Sequence, residues 1–182
     1  MKKFLIALVV FCVILGGAYL GYGALTEKYS PETVTDSGNG SDAQMAKDIT
    51  VKNMDGQDVN LSDYFGKPII LNFWATWCGP CQMEMPDFDE AYKEYGDEIE
   101  FLMVNQTDGS QDTVESATAF IEEAGYSFPI YFDTTLKASV AYHVTSIPRT
   151  ILINADGTVL AEYKGMMSAD VLQGYIDQLV TE

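Results

Sequence analysis

Apolar and polar residues follow three successive patterns along this chain. From Phe4 to Leu25 the positions are apolar without a single charge; from Thr26 to about Lys47 they are polar, rich in Ser, Thr, Gly and Asp, and show no periodicity. From residue 48 to 182, strand-like and helix-like patterns alternate, which predicts one α/β domain. "ITVKN" and "DVNLS" flank the turn "MDGQ" and predict an entry hairpin. "KPIILNFW" is nearly continuous in its apolar character, as a strand buried on both faces must be. A helix is predicted from about Gly79 to Tyr95, then the strand "IEFLMVNQ", then a helix in "TVESATAFIEEAG" with Thr113 as N-cap and Gly125 as its stop. "FPIYFD" and "TLKASVAYH" read as a short strand and a short helix. "RTILINADGTVLAEYKG" reads as a hairpin turning at "ADG", and "SADVLQGYIDQLV" as a closing amphipathic helix. No internal repeat is visible.

The first pattern predicts a membrane segment. A helix from Phe4 to Leu25 is about 33 Å long, enough to cross a hydrocarbon core of about 30 Å, and exceeds the usual apolar core of a removable signal peptide. This favours an uncleaved anchor over residues 1–25; Gly21 and Gly23 leave cleavage after Gly23 as the alternative. Lys2 and Lys3 belong on the cytoplasmic side, which sends the rest of the chain to the extracytoplasmic side of the cell membrane. Residues 26–47 then form a flexible linker spanning about 25 Å, so the domain stays near the bilayer. Cys12 reads as an apolar filler, since bulky Phe11 precedes it where lipid attachment wants a small residue.

Composition narrows the partners. The chain has 182 residues, 47% of them hydrophobic, enough for one domain with a sizeable core, and a formal net charge of −17. So few basic residues argue against nucleic acid, whose phosphates require positive patches. No phosphate loop, nucleotide fingerprint or hydrolytic triad appears, and neither a cofactor nor a metal is expected.

The chain has 3 cysteines, and two of them, Cys78 and Cys81, stand in "FWATWCGPCQMEMP". A C-x-x-C pair can be half of a zinc site, a static disulfide or a redox couple. Zinc wants four ligands, and only Cys12, in the apolar segment, and the sole histidine, His143, remain. A disulfide closing so short a loop would be a poor staple.

"LNFWATWCGPC", followed much later by "TSIPRTILINADG", resembles the thioredoxin superfamily, and more closely its membrane-tethered TlpA/ResA-type thiol-disulfide oxidoreductases. The likeness extends over about residues 46–182. It implies a thioredoxin-like fold with an N-terminal β-hairpin and a central helix–strand insertion, preceded by one transmembrane helix. A peroxiredoxin would instead resemble Pro-x-x-x-Thr-x-x-Cys; here Thr76 stands two residues before Cys78 and no proline stands four residues before Thr76.

The residues suit redox chemistry. Cys78 falls where a buried strand hands over to a helix, so free N–H groups and the positive helix end favour its thiolate; lowering a cysteine pKa from about 8.5 to about 7 takes about 2 kcal/mol, which a helix N-terminus can supply. Cys81 lies on nearly the same helical face. The reading is a redox-active disulfide with Cys78 attacking and Cys81 resolving. Asn72 stands where cytoplasmic thioredoxins have an aspartate that moves the resolving proton, and an amide cannot do so. Glu84, one turn past Cys81, resembles the family glutamate and can take that proton if burial raises its pKa; the alternative is a solvated helix residue. Pro86 removes a helix hydrogen bond just beyond the site. Phe73, Trp74, Met83 and Met85 read as core and rim packing.

Substrate docking is expected around Trp77, Gly79 and Pro80 and on Ile147–Pro148, which resembles the superfamily's cis-proline loop. If that bond is cis, the Ile147 backbone can pair with an extended client segment. Arg149, the sole arginine, is expected to steer acidic partners or hold the thiolate; the alternative is a strand residue facing solvent. Gly79–Pro80 is the dipeptide of thioredoxin, whose potential of about −270 mV marks a reductant. The resemblance implies protein thiol and disulfide substrates such as apocytochrome c or methionine sulfoxide reductase, recharging by a membrane thiol carrier, and a monomer. A disulfide-forming oxidase of the same fold, or a tethered binding module with incidental cysteines, are the competing readings.

Overall fold

The computed structural model of the chain describes residues 44–181. The apolar segment Phe4–Leu25 and most of the expected linker lie outside them, and among the described residues no helix is long and apolar enough to cross a membrane. The elements run β1 (Thr50–Lys52), β2 (Asp58–Asn60), a 3-10 turn (Leu61–Tyr64), β3 (Ile69–Trp74), α1 (Gly79–Tyr95), β4 (Glu100–Asn105), α2 (Val114–Ala124), β5 (Ile130–Phe132), α3 (Lys137–Ala141), β6 (Arg149–Ile153), β7 (Val159–Lys164) and α4 (Ala169–Thr181).

Seven strands form one sheet in the order β2-β1-β5-β4-β3-β6-β7. β3 pairs in parallel with β4, and β4 with β5, while β6 lies antiparallel on the other side of β3. β3 is therefore central, and all six of its residues are buried, which explains an apolar run broken only by Asn72. Alternation along it divides the core. Ile70 and Trp74 face a layer made by α1, α2 and α4, with Phe88, Ile121 and Ile176 among its members. Ile69, Leu71 and Phe73 face the opposite layer, with Leu61, Ala138 and Tyr142. Each large side chain so buried contributes about 1.5–3 kcal/mol.

Local chemistry accounts for the element ends. Thr113 and Ser116 close a capping box at the start of α2, and Gly125 ends it at φ 72°, a left-handed conformation that glycine adopts without a Cβ clash. The β6–β7 hairpin turns at Asn154–Gly157, where Gly157 has φ 87° and a Cβ would stand 2.9 Å from both Met45 and Phe65.

That close approach corrects the expected linker boundary. Met45 bridges to Thr158, the Ala46 N–H donates to the Gly157 carbonyl at 2.8 Å, and Ala46 is buried. The folded part thus already holds residues 44–47, because the small apolar Ala46 and the Met45 side chain cover the hairpin turn.

Candidate active site

β3 ends at Trp74 and four residues later Cys78 becomes the N-cap of α1. Its Sγ accepts the Cys81 N–H at 3.2 Å, as a capping oxygen would, so a thiolate there meets a helix N-terminus directly. Pro80, in the first turn, costs no intrahelical bond there. Cys78 and Cys81 are joined in a disulfide. Cys78 is 4% exposed and Cys81 0%, so whatever access a reactant has is to Cys78. Trp77, Gly79 and Pro80 are exposed around it. Trp77 also lines a groove of about 450 Å³ with Gln106, Val140 and His143. Among the described residues no group of three or more His, Cys, Asp or Glu side chains gathers to hold a metal ion.

The loop that presents Cys78 is clamped from the far side of the sheet end. Buried Asp112 accepts the Thr76 N–H at 2.7 Å, the Thr76 hydroxyl, and the Asn105 amide at 2.8 Å. Gln82, one turn into α1, donates to the Thr76 carbonyl. These contacts fix the short strand-to-helix connection from both ends.

Behind the disulfide, Glu84 is 1% exposed and is not the solvated helix residue of the alternative reading. Its Oε1 accepts from the Asn72 amide at 2.9 Å and its Oε2 from the Met167 N–H at 2.8 Å. Burial pushes its pKa up to about 7, against the two hydrogen bonds that favour the carboxylate, and the nearby Asp87 charge adds to the rise. A carboxyl so poised exchanges a proton near neutral pH. The Asn72 amide also donates to Thr150 Oγ1 at 3.0 Å.

The Ile147–Pro148 bond is cis. Pro148 is buried, and half-buried Ile147 packs on the cluster that holds both cysteines. None of the backbone hydrogen bonds in loops and turns of the described residues engages Ile147. Arg149 does not join this surface, contrary to both readings of the sequence. It is 6% exposed and ion-paired with Glu162 across β6 and β7, and strand alternation turns it with Ile151 and Ile153 away from α1.

The model of the AhpC/TSA family matches residues 43–162. The thiol-disulfide oxidoreductase ResA of Bacillus cereus is 32% identical over 98% of this chain and 98% of its own length. ResA of Halalkalibacterium halodurans is 29% identical over 100% and 97%. The chain belongs to the ResA-type thiol-disulfide oxidoreductases of the AhpC/TSA family. Among solved structures, a putative thiol:disulfide interchange protein DsbE from Chlorobium tepidum superposes with a TM-score of 0.68 at 27% identity, covering 78% of this chain and 99% of that one. StoA from Bacillus subtilis gives 0.62 at 29%, covering 74% and 99%.

In this thiol-disulfide oxidoreductase the sequence reading passed over three groups. Thr150 is a polar residue inside the apolar run "RTILI", the same signal that drew notice to Asn72. Asp112 lies in a polar loop and Met167 acts through its backbone, and neither carries a local signal.

Proposed function

We propose that this oxidoreductase reduces protein disulfides on the extracytoplasmic side of the membrane, tethered by Phe4–Leu25. The observation that carries the reading is a cysteine pair at a helix N-terminus with a buried carboxyl of near-neutral pKa one turn behind it. The reduced Cys78 thiolate attacks a client disulfide, forming a mixed disulfide and releasing one client thiolate. Glu84 then takes the proton of the Cys81 thiol, and the Cys81 sulfur attacks Cys78. The Cys78–client bond breaks, the second client sulfur leaves as a thiolate with the bond's electron pair, and the Cys78–Cys81 disulfide is restored. Trp77, Gly79, Pro80 and the Ile147–Pro148 loop receive the client, whose extended backbone pairs with Ile147.

Reduction rather than oxidation is favoured by Gly79–Pro80, the dipeptide of thioredoxin at about −270 mV. A reductant outside the cytoplasm must be recharged, and a membrane thiol carrier within reach of a short tether supplies the electrons. Apocytochrome c and methionine sulfoxide reductase are the client types this family suggests, and the domain acts as a monomer. The test is a Cys81→Ser chain in intact cells. It is expected to accumulate mixed disulfides through Cys78, and a membrane-impermeant thiol reagent is expected to block them. Trapping that such a reagent leaves untouched contradicts the location, and no trapping at all contradicts the chemistry.

A further inference from the structure

The Asn72 side chain is unusual for a residue buried in a central strand. Its Nδ2 group makes two hydrogen bonds, to Glu84 Oε1 and to Thr150 Oγ1, while its Oδ1 is buried without any partner. Leaving a buried amide oxygen unpaired is costly, because the water it gave up is not replaced. The arrangement suits only one protonation state of its neighbour. A carboxylate needs donors, and Asn72 and Met167 provide one to each oxygen. A neutral Glu84 carries a proton that needs an acceptor, and with the Nδ2 group turned to Oε1 that proton would face an N–H group.

We propose that Asn72 is the positioning residue that holds Glu84 as a carboxylate and turns its amide over when Glu84 takes up a proton. After the turn, Oδ1 accepts from the Glu84 acid, and the unpaired group moves to Nδ2, so the number of orphans stays constant. Thr150 serves both orientations because a hydroxyl accepts from Nδ2 in one and donates to Oδ1 in the other. Among the described residues the Thr150 hydroxyl donates to nothing as it stands. Among the described residues the charge acting on Glu84 is Asp87 on its own helix, while β3, β6 and the loop before α4 face it with Asn72, Thr150 and the Met167 N–H; in the reduced protein the Cys81 thiol one turn before it on α1 is the proton's source. Thr150 lies just past Pro148, so the same amide links the proton acceptor to the strand that carries the docking loop.

The inference rests on Glu84 as the proton acceptor, and a titration of the oxidised protein separates the two. The full chain, labelled with ¹⁵N-asparagine and ¹³C-glutamate in detergent micelles, is followed from pH 5 to 9 with Asn72→Leu and Glu84→Gln chains to assign the signals. The Asn72 side-chain pair is expected to shift with the Glu84 carboxyl, at one midpoint near 7, and to stop titrating in Glu84→Gln. An Asn72 pair that stays fixed while Glu84 titrates overturns the proposal and leaves the function above intact. A Glu84 that stays ionised down to pH 5 overturns both. In the reduced protein, Asn72→Leu is expected to raise the pH midpoint of the Cys81 step by about one unit, since it removes a donor to the carboxylate. Thr150→Val is expected to lower thermal stability and leave that midpoint in place; an equal shift in both variants marks mere loosening of the core and contradicts the role.

Discussion

Glu84 is the buried carboxyl whose raised pKa makes the site respond to pH near neutrality. Its pKa is 4.5 in the unfolded chain and about 7 when folded, because burial disfavours the charge. Between those values the folded protein keeps a proton that the unfolded chain has released. Stability therefore falls as pH rises through this window, and the penalty is complete above it. The shift corresponds to about 3 kcal/mol. Glu84→Gln, which cannot ionise, is expected to match the wild type near pH 4.5 and to exceed it by up to about that amount at pH 8 in denaturant unfolding. A difference between the two that does not change with pH would show that folding leaves the Glu84 pKa where it is in the unfolded chain. The same substitution is expected to slow the Cys81 step and to spare the reaction of Cys78 with a small disulfide.

At the scale of elements, the connection between β3 and α1 is a clamp. Asp112→Ala leaves the Thr76 N–H and the Asn105 amide without their acceptor, at an expected cost of about 3 kcal/mol. Attack by Cys78 is expected to slow in this variant while the Glu84 midpoint holds; unchanged attack and stability would show that the loop needs no clamp. Much of this level was legible in the sequence. β3 declared itself by its apolar run, α1 by the Gly-Pro at its start, and α2 by Thr113 and Gly125, since each signal is local. Asp112 was not legible, because its partners lie across the sheet end and nothing near it in the chain points to them. Arg149 was legible in part: it shares strand parity with Ile151 and Ile153, which already places it away from the cysteines. The linker boundary failed for a similar reason, since Met45 and Ala46 are held by a turn more than a hundred residues away in sequence.

At the scale of the whole molecule, a single sheet carries all the parts. β3 carries Asn72, the connection after it presents Cys78 at the head of α1, α1 carries Cys81 and Glu84, and β6 carries Thr150 beside the Pro148 loop. The electron path reaches the surface only at the 4% exposed Cys78, while the proton path is fully buried behind it. The most direct test of this arrangement is the thiol-driven reduction of insulin disulfides by the full chain. Wild type is expected to accelerate it well above the background of the thiol alone, and Cys78→Ser to fall to that background. Equal rates for wild type and Cys78→Ser would contradict Cys78 as the attacking thiol.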